Sequence, residues 1–258
     1  GTSSVATTTM TVAPVNDAPT VDLDTGGGIN YAFTFTEGDA ATKIVGATTI
    51  TDVDDDDLAN VILEVGGVVD GANELLTIGN LTFALDAANF TNNTVNVGGD
   101  TYVVDWVQGT GVATITLSGG GEMSKAQADT VLQASKYQHA DTTEPTAGNR
   151  TVAVTVNDGN VTSSVATTTM TVAPVNDAPT VDLDTGGGIN YAFTFTEGDA
   201  ATKIVGATTI TDVDDDDFAN VILEVGGVVD GANELLTIGN LTFALDAANF
   251  TNNTVNVG

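Results

Sequence analysis

The chain has 258 residues, of which 35 are Asp or Glu and only 5 are Lys or Arg, giving a formal net charge of −30. Five basic residues cannot neutralise a phosphate track, so nucleic acid is excluded as a partner class, and an anionic membrane surface would repel the chain. With no Cys, disulfides, thiolate metal sites and thiol catalysis are excluded, while 41% hydrophobic residues suffice for a core.

Internal repetition sets the organisation. Residues 2–98 recur as 162–258, a period of 160, and the two copies differ at one position, Leu58 against Phe218. Near-identical copies suit a spacer, a stalk or a multivalent binder better than an enzyme. In chain order, residues 1–14 are expected to be the last strand of a preceding repeat. Residues 15–174 would be one complete repeat and residues 175–258 the first half of the next. Pro14 and Pro19, and again Pro174 and Pro179, fix φ and mark stiff, extended linkers at 14–19 and 174–179. A division into two subdomains near Gly98–Gly99 would let the half repeat fold alone.

Within the repeat, Tyr31, Phe33 and Phe35 alternate with Ala32, Thr34 and Thr36, the period-two signature of a half-buried strand. A strand is predicted over Ile44–Ile50, followed directly by the acidic loop Thr51–Asp57. Val61, Leu63 and Val65 alternate in the same way. Residues 102–107 and 112–117 read as a hairpin turning at Gln108–Gly111. Ser124-Lys125-Ala126-Gln127 is a capping-box sequence, with Met123 and Ala128 as its hydrophobic staple, and predicts one helix over about 125–135. Val152, Val154 and Val156 give a further strand. The expected class is all-β, with Greek-key β-sandwich repeats in tandem and one short helix per repeat.

Asp52, Asp54, Asp55, Asp56 and Asp57 crowd within six positions, while Glu37 and Asp39 follow the 31–36 strand and Asn16 and Asp17 lie in the linker. Crowded carboxylates repel, and a hard divalent cation removes that repulsion. Ca2+ accepts six to eight oxygen ligands, and with no Cys and only His139 in the sequence it suits this set better than zinc. The run is not an EF-hand, because Asp57 stands where the turn Gly would be and Leu63 where the last Glu would be. The plainer reading is a solvated charge run in a salt-adapted protein. His139, the single His, reads as a surface-loop residue without a nucleophile beside it. Trp106 reads as core rather than as a sugar platform, and Thr7-Thr8-Thr9 with Thr11 as ordinary sheet surface.

Five segments in series carry a family resemblance: Val-Asn-Asp-Ala-Pro at 15–19, Phe-Thr-Glu-Gly-Asp at 35–39, Ile-Thr-Asp-Val-Asp at 50–54, Ala-Asp-Thr-Val-Leu-Gln-Ala-Ser-Lys-Tyr at 128–137 and Arg-Thr-Val-Ala-Val-Thr-Val-Asn-Asp-Gly at 150–159. In that order they resemble the cadherin-like and immunoglobulin-like tandem extender repeats of giant bacterial RTX-type adhesins. The resemblance implies a monomeric, extracellular rod on the bacterial cell surface, partnered by its neighbouring repeats and stiffened by Ca2+ at the junctions so as to project a distal ligand-binding domain. It implies a metal role for Asn16 and Asp17, Glu37, and Asp52 and Asp54, with Asp39 beside them. In the second copy the same positions are Asn176 and Asp177, Glu197, Asp199, and Asp212 and Asp214. Asp141 or Asp158 would contribute from the adjoining domain, since the Asp-Arg-Glu triplet of cadherins is absent. No catalysis and no membrane insertion are expected. A glycan- or protein-binding adhesive repeat is the alternative, against which the aromatic content of 5% argues.

Overall fold

The computed structural model describes residues 1–246. The first repeat runs through β1 (Thr20–Asp22), β2 (Tyr31–Thr36), β3 (Thr42–Lys43), β4 (Thr49–Thr51), β5 (Asp57–Leu58), β6 (Asn60–Gly66), β7 (Glu74–Ile78), β8 (Leu81–Ala84) and β9 (Phe90–Val97). It continues with β10 (Asp100–Val107), β11 (Val112–Leu117), β12 (Met123–Ser124), α1 (Lys125–Gln133), β13 (Ser135–His139), β14 (Gly148–Asn157) and β15 (Ala166–Ala173). The fold is all-β, with α1 as the one α-helix among the described residues.

A seven-stranded sheet has the order β2-β15-β14-β6-β11-β10-β9, and a four-stranded sheet has the order β3-β13-β7-β8. All neighbours are antiparallel except β15 and β2, which run parallel with Thr168 opposite Tyr31 and Ala173 opposite Thr36. Both sheets feed one core. Phe35 of β2 meets Tyr137 of β13 edge-on at 5.3 Å, and Phe83 of β8 lies 5.0 Å from Trp106 of β10. Trp106 is 1% exposed and donates its indole N–H to the Ala87 carbonyl, as a core residue with a polar handle should.

The alternating runs are strands, with Val61, Leu63, Val152, Val154 and Val156 on the buried face. The 102–107 and 112–117 segments pair as a hairpin, with Tyr102 opposite Leu117 and Val107 opposite Val112. Helix α1 starts from a complete capping box: Ser124 accepts from the Gln127 amide while the Gln127 side chain accepts from the Ser124 amide. Its Ala128, Val131 and Leu132 are buried.

Of the expected strand over 44–50 only Thr49 and Ile50 are strand, in β4, while β3 ends at Lys43. Ile44 and Val45 are both buried, which a single alternating strand forbids, because the chain is passing from β3 in one sheet to β4 beside β1. Gly46 permits the crossing: its amide donates to the Leu23 carbonyl, and a Cβ there would sit 3.2 Å from that same oxygen. Gly98–Gly99 turns β9 into β10 within one sheet, and β6 lies between β11 and β14. The two halves of the repeat are thus interleaved strand by strand.

In the second copy the described strands form two pairs. Within residues 1–214, which form one compact unit, the copy supplies the pair β16 (Thr180–Asp182) and β17 (Thr209–Thr211). The unit beginning at Asp215 supplies the hairpin β18 (Leu235–Ile238) and β19 (Leu241–Ala244). Phe195, Val221 and Leu223 are 57%, 67% and 49% exposed, whereas their counterparts Phe35, Val61 and Leu63 are fully buried. The first eight positions of β15 also have an unpaired twin. Ala6–Ala13 carries the same sequence as Ala166–Ala173, yet Met10 is 85% exposed where Met170 is buried. No helix among the described residues is long and apolar enough to cross a membrane.

Candidate functional site

Three loops meet at the end of the first repeat where linker 14–19 joins it. The linker leads into β1, whose partner β4 opens the acidic loop, and the β14–β15 turn reaches the same place. Asn16 donates its side-chain amide to Asp158 Oδ2 at 2.8 Å and accepts at Oδ1 from the Asn160 side chain at 3.2 Å. Asp158 is 2% exposed; its Oδ1 takes the amides of Asn160 and Val161 at 2.7 and 2.6 Å. The Asn16 hydrogen bond, reinforced by those amides, holds its carboxyl below the usual range.

The Asp17 amide donates to both Asp54 oxygens at 3.3 and 3.2 Å, and Asp52 Oδ1 takes the amides of Asp54 and Asp55, each at 3.3 Å. Asp52 Oδ2 is buried and has no hydrogen-bond partner. Asp54 titrates above the ordinary carboxylate value, chiefly through desolvation, with the Asp52 and Asp17 carboxylates adding to it. Asp17, Asp52 and Asp54 thus crowd their carboxylates at the linker, one oxygen an orphan and one group destabilised as an anion, while Asp158 is tied to the same linker through Asn16. All-oxygen donors are the kind Ca2+ takes, but among the described residues the group of three ligating side chains whose atoms lie within 4.8 Å of one another is Asp70, Glu74 and His139.

The second copy repeats this turn. Asn176 donates to the Asp177 carbonyl as Asn16 does to Asp17, the Asp177 amide donates to Asp214, and the Asp214 amide donates to Asp212 at 3.1 Å. Asp177 Oδ2 is likewise buried without a partner.

Comparison with known protein families, curated proteins and solved structures finds no match for this chain.

The remaining expected ligands lie elsewhere. Because β2 runs parallel to β15, Glu37 reaches the opposite end of the repeat, along the length of a ten-residue β14 spanning ~33 Å. There Glu37 accepts from the Val175 amide at 2.9 Å, beside the second linker and not the first. Asp39 closes the turn after β2 by accepting from the Thr36 amide at 2.8 Å, and Asp199 does the same with Thr196 at 2.8 Å. Asp141 is spent on a local turn, accepting from the Thr143 and Glu144 amides at 3.0 and 3.2 Å, and these bonds lower its pKa. Among the described residues no contact places Glu197 in the second-copy turn. Glu37 thus touches the second linker at Val175, while Asp158 is bonded to Asn16 of the first.

At the Glu37 end lies a buried ionic network that the sequence reading does not anticipate. Glu74, Arg150 and His139 are 0%, 1% and 2% exposed. Glu74 Oε2 takes Arg150 Nε at 2.8 Å and the Tyr137 hydroxyl at 3.1 Å, while Oε1 takes the Val69 and Asp70 amides at 2.8 and 2.9 Å. Asp70 Oδ2 meets His139 Nε2 at 2.9 Å and Arg150 Nη2 at 3.2 Å, and Thr146 donates to both its oxygens. Burial would raise the Asp70 pKa, but the Thr146 and His139 hydrogen bonds outweigh it and lower it. Burial, followed by the Glu74 charge, pushes the Tyr137 hydroxyl up. Asp70, Glu74 and His139 could in principle hold a metal, yet the carboxylate oxygens they would offer are already committed to Arg150. The arrangement is a structural ion network, and His139 is a core residue and not the loop residue expected.

A signal for it exists. Arg150, the only arginine, shares strand parity with Val152, Val154 and Val156, just as Glu74 shares parity with Leu76 and Ile78 and His139 with Tyr137. Three charged or titratable side chains on inward faces require one another.

Proposed function

We propose that the chain is a non-catalytic extender segment of a bacterial cell-surface adhesin, built of cadherin-like or immunoglobulin-like Greek-key β-sandwich repeats whose junctions are stiffened by Ca2+. The observation that carries this reading is that linker residues Asn16 and Asp17 bond Asp158 and Asp54 of the domain, beside an Asp52 Oδ2 that is buried and unpartnered. A bound Ca2+ would offset the charge that the Asp17, Asp52 and Asp54 carboxylates bring to this loop. The chain's own residues do the rest. Asn16 and Asp17 belong to the proline-bounded linker, so ligation there ties linker to domain and removes hinge freedom. At the next junction, Glu37 holds the Val175 amide from the preceding repeat, while Asp177 and Asp214 are contributed from the following side. A groove lined by Thr143, Asp177, Thr180, Thr211 and Asp212 runs along that junction. The charge of −30 keeps neighbouring stalks apart and suits an extracellular setting, where millimolar calcium fills weak sites.

The test is small-angle scattering on a chain of two complete 15–174 repeats in tandem. Calcium, and not magnesium, should extend the maximum dimension and narrow its distribution, and Asp52→Ala with Asp54→Ala and Asp158→Ala in the second repeat should remove the change. Identical scattering in EDTA and calcium would contradict the stiffening.

A further inference from the structure

Lys125 is one of only four lysines in a chain with 35 carboxylates, and its position is unusual. Its ammonium group has three donors, and the structure uses all three on the acidic loop: the Asp52 carbonyl at 3.1 Å, the Asp55 carbonyl at 2.9 Å and Asp56 Oδ1 at 3.0 Å. Its backbone amide adds a bond to the Asp56 carbonyl at 3.3 Å. The Asp56 pair contributes little, because that carboxylate is 98% exposed and screened by water. The two carbonyl bonds are different: they grip the backbone that carries Asp52 and Asp54.

The grip has a rigid base. Lys125 is the first residue of α1, whose apolar face is in the core and whose N-terminus is closed by the Ser124–Gln127 box. Just before it, Met123 and Ser124 pair with Leu58 and Asp57, tying down the far side of the same loop. The acidic loop is therefore shaped by a segment that lies some 70 residues later in sequence.

We propose that Lys125 is a positioning residue for the cation site: by holding the Asp52 and Asp55 carbonyls, it fixes Asp52 and Asp54 in their binding arrangement before the ion arrives. This rests on the calcium reading of that site. The sign of its effect separates the idea from simple electrostatics. A positive charge near a cation site repels the ion, so a lysine acting only by charge would make binding tighter when removed. A lysine that pre-shapes the loop would make it weaker, by the roughly 10-fold typical of groups that orient ligands from behind.

The experiment is isothermal titration of the 258-residue chain with CaCl2, in an Asp212→Ala, Asp214→Ala background that silences the second-copy loop. Lys125→Met should raise Kd about 10-fold, and Lys125→Arg, which can still donate to both carbonyls, should restore it to within about 3-fold. Asp56→Asn keeps the carbonyl bonds and should leave Kd unchanged. If Lys125→Met unfolds the repeat, Lys125→Gln, with one amide donor pair, should show an intermediate loss. Calcium binding by the Met or Gln variant as tight as or tighter than the parent overturns the proposal. A parent that takes up no calcium overturns the calcium reading itself, and the lysine's role with it.

Discussion

Replacing Arg150 with Met probes the buried network with a large and specific expected effect. Arg150 is 1% exposed and is the cation for Glu74, which is fully buried, and for Asp70. Met fills much of the same volume, so the loss is mainly of charge. Glu74 would keep the Val69 and Asp70 amides and the Tyr137 hydroxyl, but would be a buried anion without its counter-ion. Removing one partner of a buried pair costs about 3–5 kcal/mol. For a repeat of this size that corresponds to a fall in Tm of about 6–20 °C. Trp106 is the only tryptophan and sits in the core of the first repeat, so its fluorescence follows that repeat alone. Urea unfolding in EDTA at neutral pH is the assay. The Arg150→Met, Glu74→Met double variant, which leaves no orphaned charge between those two positions, should recover much of the loss. A loss below about 1 kcal/mol for Arg150→Met would refute the reasoning, because it would mean the network is solvated and screened.

Other outcomes follow from single contacts. Gly111 has φ +67°, and a Cβ there would lie 2.3 Å from the Val65 carbonyl oxygen, so Gly111→Ala should destabilise the repeat by more than about 1 kcal/mol in the same urea assay. Asp70 and Asp158 have folded pKa values below their unfolded ones, so their contribution is complete above about pH 5 and is lost as pH falls through 4 toward the folded values. Tm between pH 3 and 6 should show that decline, and Asp158→Asn should flatten part of it. Asp54 is raised, which reverses the sign: its charge opposes folding without calcium. Asp54→Asn should therefore hold or raise Tm in EDTA while abolishing any gain from calcium, and a lower Tm in EDTA would contradict the crowding argument.

Much of this architecture is legible residue by residue. Period-two alternation marks β2, β6, β10, β11 and β14, because one face of each is buried and the other wet. The capping box marks α1 because Ser124 and Gln127 satisfy each other's amides locally. What fails is whatever depends on long-range pairing. The crossing at Ile44–Val45 breaks alternation because the chain changes sheets there. The network of Asp70, Glu74, His139 and Arg150 joins residues up to 80 apart, and only the inward parity of Arg150 hints at it. Charge density points to the acidic loop and the linker, which the Asp17–Asp54 bond brings together. Which end of the repeat Glu37 occupies cannot be read that way, because that follows from β2 lying parallel to β15, a pairing across 137 positions. Val61 and Leu63 are buried by the same kind of long-range pairing, flanked by β11 and β14.

A thermal melt followed at Trp106 tests whether calcium binds the folded repeat at the linker that bonds Asp54 and Asp158. For a site of extracellular type with Kd near 0.1–1 mM, 10 mM calcium should stabilise the repeat by about 1.4–2.7 kcal/mol. That corresponds to a rise in Tm of roughly 3–11 °C over EDTA, which 10 mM magnesium should not reproduce. Equal melts in EDTA, magnesium and calcium would contradict the account and leave the acidic loop as solvated charge.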